Sequence, residues 1–305
     1  MQAARTTNKS GGDRLPAMSE TKPAGAALYL VATPIGNLED ITLRALRVLK
    51  EVDLIACEDT RQTQKLLNHF AISTRTTSYH EHNEREQSAD LVRRMQEGSS
   101  VALVTDAGMP GISDPGYRLV TLAIEHGVPV VPLPGASAFL AALVASGMPT
   151  DSFRFNGFLP SKQGERRTAL KAVKDSPRTQ VFYEAPHRII ETLEDVCQIL
   201  GNARHVVVAR ELTKLHEEFL RGSASEVLEK LKKRESVKGE ITLLIGRADE
   251  QADGLADAPV RVTVRERVEQ IMKEENVDEK AALKKVAKER GVSKSEAYRE
   301  LQREK

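Results

Sequence analysis

At 305 residues, 40% hydrophobic and 29% charged, the chain is long enough for two or three globular domains and has an ordinary composition for them. A formal net charge of +1 provides no overall attraction to a polyanion, so any basic surface has to be local. Aromatic residues make up only 4% and Trp is absent, which argues against an aromatic stacking platform for single strands. The two cysteines, Cys57 and Cys197, lie outside any Cys-x-x-Cys pair, so neither a metal site nor a disulfide framework is expected, and free thiols suit a reducing cytoplasm.

Residues 1–25 are rich in Ala, Thr, Ser, Gly and Pro and read as a disordered tail, with no apolar stretch of the kind a secretory leader carries. Strand-like runs then fall near 27–33, 52–56, 100–104 and 128–131. They alternate with helical patterns over 42–50, 61–70, 84–97 and 117–126. Such alternation implies a mostly parallel sheet with covering helices, an N-terminal α/β domain over 26–135. The longest apolar run, Ala138 to Ala145, lies in a helical pattern over 137–146 and is too short for the roughly 18–20 residues that cross a bilayer.

Gly147-Met-Pro149 marks a break. Strand-like runs follow from Phe153 and over 179–183, 205–209, 218–222 and 240–245, separated by helical runs over 165–174, 187–200 and 223–234. Ser223 and Glu226 form a capping-box pattern at the last of these. This is a second α/β domain, 136–247, and a substrate cleft is expected between the two. Residues 248–260 have no period and read as a linker. The segment 261–305 is helical, with Asp278 capping a helix to Arg290, Gly291 after it, and Ser293-Lys-Ser-Glu296 opening another. That spacing is a helix-turn-helix, though a docking module with a solvated charged face has the same pattern.

The most informative stretch is Thr105 to Gly116, where a β-branched run opens into a loop with Gly108, Gly111, Gly116, Pro110 and Pro115. Glycine permits close backbone approach and proline stiffens the chain, so such a loop presents its main chain to a ligand. The same grammar recurs at Pro34-Ile-Gly-Asn-Leu38 and at Pro134-Gly-Ala-Ser137. Three such junctions are expected to converge on one edge of a single sheet, where open α/β sheets bind ligands. Asp106 is the acid placed just past a strand end. It suits a ribose hydroxyl or an ammonium group, with an Asx turn as the plainer alternative. Neither Gly-x-Gly-x-x-Gly nor a P-loop occurs, which sets aside dinucleotide and NTPase chemistry.

Five strings resemble one family: Leu28 to Leu46, Ala56-Cys-Glu-Asp-Thr-Arg61, Thr105 to Tyr117, Pro132-Leu-Pro-Gly-Ala-Ser137 and Lys238-Gly-Glu-Ile-Thr-Leu243. They are similar to the ribosomal-RNA cytidine-2′-O-methyltransferase branch of the tetrapyrrole methylase superfamily. The resemblance implies two α/β domains with S-adenosyl-L-methionine in the interdomain cleft, a C-terminal helix-turn-helix module and a homodimer in the cytoplasm. It implies 16S ribosomal RNA of the small subunit as substrate, methylated on a cytidine ribose in the decoding region. Carried over position by position, cofactor contacts come from Pro34, Asp106, Met109, Gly111, Ile112, Ser137 and Ala138, and in the second domain from Tyr183, Glu184, Glu240 and Ile241.

A ribose hydroxyl is a weak nucleophile, so a base within hydrogen-bond reach is expected. Candidates after strand ends are Glu58, Asp59, His80 and Glu211, each of which also suits a cap, an ion pair or a solvated loop. Arg44, Arg61, Arg188, Arg210 and Lys214 are placed to hold phosphates, as are Lys284, Lys285, Lys288 and Lys294 of the C-terminal segment. A tetrapyrrole methyltransferase of the same superfamily and a non-enzymatic nucleic-acid-binding protein remain the alternatives. The latter leaves the three glycine-proline loops unexplained.

Overall fold

In the computed structural model, which describes residues 25–248, 268, 271–272 and 278–289, the first half builds one parallel sheet. Its strands are β1 (Leu28–Val31), β2 (Leu54–Cys57), β3 (Thr76–Ser78), β4 (Val101–Val104) and β5 (Val130–Leu133), in the order β3-β2-β4-β1-β5. Leu28 pairs with both Val101 and Val130, which fixes β1 between β4 and β5. All four residues of β4 are buried, as expected of a strand covered on both faces.

Side chains alternate across this sheet into two cores. Val31, Ile55, Cys57, Ala102, Val104 and Leu133 face α1 (Leu43–Glu51) and α2 (Thr60–His69). On the other face, Leu28, Ala56, Val101 and Leu103 pack with α3 (Glu84–Gln96) and α4 (Tyr117–Glu125). The sheet is doubly wound. From β1 the chain passes over β4 to β2, whereas from β4 it passes over β1 to β5. The carboxyl ends of β1 and β4 therefore flank the topological switch point.

The second half is a mixed sheet made of β6 (Phe153–Phe158), β7 (Thr179–Glu184), β8 (His205–Arg210), β9 (Glu218–Ser223) and β10 (Ile241–Ile245), in the order β6-β7-β10-β8-β9. Only β6 and β7 are parallel, and the remaining pairs are antiparallel. The helices α6 (Gln163–Ala172), α7 (Ile189–Leu200) and α8 (Ala224–Lys232) bury Leu170, Leu193, Val196, Val227 and Leu231 against Phe182, Val206, Val208 and Leu243. The capping box read at Ser223 and Glu226 is present at the start of α8.

Contacts divide the chain within α5 (Ala138–Ser146), into Met1–Ala141 and the chain from Ala142 on. The β8–β9 connection, Glu211–Glu217, groups with the first unit. The expected tail, except for Gly25, and most of the expected linker lie outside the described residues, as do Gly291 and the capping box at Ser293. Of the C-terminal segment, α9 (Glu279–Glu289) is described. Asp278 caps it by accepting the Ala281 N–H at 2.7 Å, and Ala282, Leu283, Val286 and Ala287 pack on Val268 and Ile271.

Candidate functional site

Three loops meet at the carboxyl end of the first sheet. The Thr33 N–H donates to the Gly108 carbonyl at 2.9 Å, and the Gly108 N–H returns the bond to Thr33 at 3.0 Å. The buried Thr33 hydroxyl donates to the Thr105 carbonyl at 3.0 Å, so the loops after β1 and β4 are zipped together over the switch point. The loop after β5 seats on the same end. A Cβ on Gly135 would lie 2.6 Å from the Ala32 Cβ, and one on Gly108 would lie 3.8 Å from the Ala136 carbonyl. The expected convergence of the glycine-proline loops is thus what the fold produces. Gly111 has φ +82° with open space where a Cβ would go, and Ile112 is partly exposed, so this turn offers its main chain to solvent.

Beside this loop cluster the fold gathers carboxylates from β2 and β4. Glu58 Oε2 accepts the Thr105 hydroxyl at 3.2 Å, and Asp106 Oδ1 accepts the Asp59 N–H at 3.3 Å. Burial pushes the Glu58 carboxyl up, with the Asp106 charge adding to it and the nearby His80 opposing it. Burial likewise raises Asp106, partly offset by the Asp59 N–H. Asp114 is the most perturbed. Burial, aided by Glu58 and Asp106 and opposed by the Thr105 hydroxyl, lifts it to about 6. Sequence reasoning passed over Asp114 because Ser113-Asp-Pro reads as turn punctuation. Only the fold-back at Ser113 (φ 61°) and Gly116 (φ 147°) returns it to Thr105.

The candidate bases separate accordingly. His80 lies with Glu58, and its buried Nδ1 has no hydrogen-bond partner among the described residues. Asp59 is the N-cap of α2, accepting the Arg61 N–H at 2.8 Å, and that arginine holds its carboxyl below the usual range. Glu211 is bonded to Lys214 Nζ at 2.9 Å in the β8–β9 loop. In the second unit Ile241 pairs with Glu184 and Thr242 with Tyr183, which places Tyr183, Glu184 and Ile241 at one end of that sheet, with the exposed Glu240 beside them. Both Glu184 oxygens have internal partners: Oε1 meets the Ala185 N–H and Arg188, and Oε2 meets Thr192.

Of the phosphate candidates, Arg188 is paired with Glu184 at 2.6 Å, Arg210 with Glu218 at 3.1 Å and Lys214 with Glu211. Arg61 is far more open, 88% exposed while paired with Asp59, and Arg44 is exposed at the start of α1. Lys284 and Lys285 are exposed on α9; the side chain of Lys288 and all of Lys294 lie outside the described residues.

The switch-point chemistry suits S-adenosylmethionine. A solvent-facing carboxylate, Asp106, can accept from hydroxyl or ammonium groups, and small-residue loops can seat a flat, uncharged base. Residues 27–228 match the family model for tetrapyrrole (corrin/porphyrin) methylases. A protein of Halalkalibacterium halodurans named ribosomal RNA small subunit methyltransferase I is 50% identical over 271 residues, covering 89% of this chain and 93% of that protein. A protein of the same name from Escherichia coli O157:H7 is 51% identical over 233 residues, 76% of this chain and 82% of that protein. Among solved structures, diphthine synthase shares the fold at a TM-score of 0.55 and 18% identity, over 72% of this chain and 90% of that one. A uroporphyrin-III C-methyltransferase from Thermus thermophilus, complexed with S-adenosyl homocysteine, does so at 0.50 and 22%, over 73% and 98%. The chain therefore belongs to the tetrapyrrole methylase family, within the branch formed by the small-subunit ribosomal RNA methyltransferases I.

Proposed function

We propose that this protein transfers a methyl group from S-adenosylmethionine to the ribose 2′-hydroxyl of a cytidine in the decoding region of 16S ribosomal RNA. The observation that carries the reading is the zipped loop cluster at the switch point, in a chain half identical to ribosomal RNA methyltransferases. When bound, the cofactor supplies a methyl group on a sulfonium, an electrophile that needs no metal. Pro34, Asp106, Met109, Gly111, Ile112, Ser137 and Ala138 hold it, Asp106 by accepting hydrogen bonds and the loops by shape. Tyr183, Glu184, Glu240 and Ile241 complete the proposed set on the strength of the resemblance. In-line methyl transfer draws much of its rate from positioning. The hydroxyl proton leaves to the Glu58–His80–Asp114 group, whose raised carboxyls are closer to neutral pH than ordinary ones and so better proton acceptors.

The finer parts of the reading are the intact small subunit as substrate, a cytoplasmic homodimer, and RNA contacts by Arg44, Arg61 and the C-terminal lysines. Incubating the protein with labelled cofactor and either small ribosomal subunits or free tetrapyrroles tests the whole. Label in the RNA, mapped by mass spectrometry to one 2′-O-methylcytidine, supports it. Label in the tetrapyrrole alone, or none, overturns it.

A further inference from the structure

Among the described residues, the connection Glu211–Glu217 between β8 and β9 holds two of the four non-glycine residues with positive φ. Glu211 (φ 53°) and Thr213 (φ 65°) both occupy the left-handed region, and neither is glycine. Such conformations persist only where surrounding structure over-determines them. Here it does. Lys214 N–H donates to the Glu211 carbonyl at 3.0 Å and Lys214 Nζ to the Glu211 carboxylate at 2.9 Å. At the other end, Glu217 accepts the Thr213 N–H at 2.7 Å and donates its own to Lys214 at 3.1 Å.

The loop is also seated. A Cβ on Gly36 would fall 2.4 Å from Lys214 Cγ and 3.0 Å from the Leu212 carbonyl, so its backbone rests directly on the loop after β1. Leu212 is 8% exposed and anchors it. The next leucine does the opposite: Leu215, at the apex, is 93% exposed. A rigid loop held three residues beyond Thr33, at the ligand end of the parallel sheet, thus projects one bare isobutyl group into solvent. On one side of the leucine the Lys214 charge is matched by Glu211, and on the other the exposed His216 follows it, so Leu215 is the apolar member of a polar tip.

We infer that Leu215 is a wedge that enters a base step of the RNA substrate and unstacks the nucleotide to be methylated, a specificity-determining contact for the reaction. This rests on the RNA reading proposed above. The 2′-hydroxyls of helical RNA are displayed in its shallow minor groove, but seating one in line with a sulfonium held among these loops asks its nucleotide to leave the stack, and apolar side chains inserted between bases are a recurrent way to open such a step. A flexible loop would fold the leucine away from water, whereas a strained and seated one holds it extended.

The test compares Leu215→Ala, Leu215→Met and the unaltered protein. It uses a decoding-region RNA hairpin carrying 2-aminopurine beside the target cytidine, and methyl transfer to small subunits. With the unaltered protein, fluorescence should rise on binding as the probe unstacks. Leu215→Ala should lose most of that rise and about tenfold in kcat/KM, with cofactor affinity unchanged, and Leu215→Met should restore both. An undiminished rise and rate with Leu215→Ala overturns the wedge while leaving the RNA reading intact. A changed solution mass in Leu215→Ala also overturns it, since the leucine would then be covered by a second copy of the chain. No methyl transfer to RNA by the unaltered protein overturns the reading and the wedge with it.

Discussion

Asp114 illustrates how far a single residue's chemistry depends on its surroundings. With a folded pKa of about 6 against an ordinary 3.8, it keeps a proton in the folded state that the unfolded chain has already released. Its contribution to stability is therefore lost as pH rises from about 4 to about 6. The shift has a ceiling near 3 kcal/mol, and solvent screening at this partly exposed side chain reduces it to about 1 kcal/mol. Asp114→Asn should accordingly raise the thermal midpoint by about 2–4 °C at pH 8 and leave it unmoved at pH 4, read by unfolding scans at both values. Equal shifts at the two pH values would show that ionisation is not the cause. Asp106 should behave differently. Among the described residues its hydrogen bond is the Asp59 N–H at 3.3 Å, so Asp106→Ala should change the midpoint little. Losing a charged acceptor from the cofactor should cost about 1.5–3 kcal/mol, roughly 10–100-fold in affinity by calorimetry. Unchanged affinity would remove Asp106 from the cofactor set.

At the scale of elements, the junction of β1 with the loop after β5 is closely packed. The φ of Gly135 lies outside the left-handed region, so its requirement is space: an added methyl meets the Ala32 Cβ at 2.6 Å. Gly135→Ala is expected to cost about 1–3 kcal/mol in denaturant unfolding and to weaken cofactor binding further by lifting this loop off the cluster. A variant as stable as the parent would mean that the loop yields freely, contrary to a pre-formed site. Sequence periodicity located most of these elements within one or two residues. The strand-like run noted near 128–131 corresponds to β5, Val130–Leu133, where Pro132 is accommodated because β5 is an edge strand beside β1. Periodicity missed β3, whose Thr-Thr-Ser has no apolar run to announce it, being the other edge.

For the whole molecule, the question is what the C-terminal segment adds. Arg247 pairs with Asp151, and the Ala248 N–H bonds the Ser176 carbonyl at 3.1 Å, so a chain ended after Ala248 keeps both of these attachments. That truncation should leave cofactor affinity nearly unchanged. RNA affinity should fall in filter binding, by less as salt rises, because the lysines removed act through counterion release. A passive docking module would instead lower the thermal midpoint and leave RNA affinity alone. Light scattering should give twice the 33.6 kDa chain mass at micromolar concentration if the protein pairs as its family resemblance implies. A mass of one chain would count against the dimer.

The sequence by itself determined the parallel α/β unit, the helix caps at Ser223 and Asp278, and the three glycine-proline loops, since each is written in local periodicity, capping chemistry or backbone restriction. It also carried the family, through long strings in fixed order. What only the tertiary structure decided is which of these residues meet. The approach of Asp114 to Glu58 and Asp106, the docking of Lys214 on Gly36, and the mixed strand directions of the second sheet all join positions distant in the chain. So does the fate of the charged candidates. Arg188, Arg210 and Lys214 looked like free cations at strand ends, and the fold closes each on a carboxylate. Local patterns report the conformation a segment prefers, whereas pairing, burial and the resulting pKa are set by neighbours that the chain brings in from elsewhere.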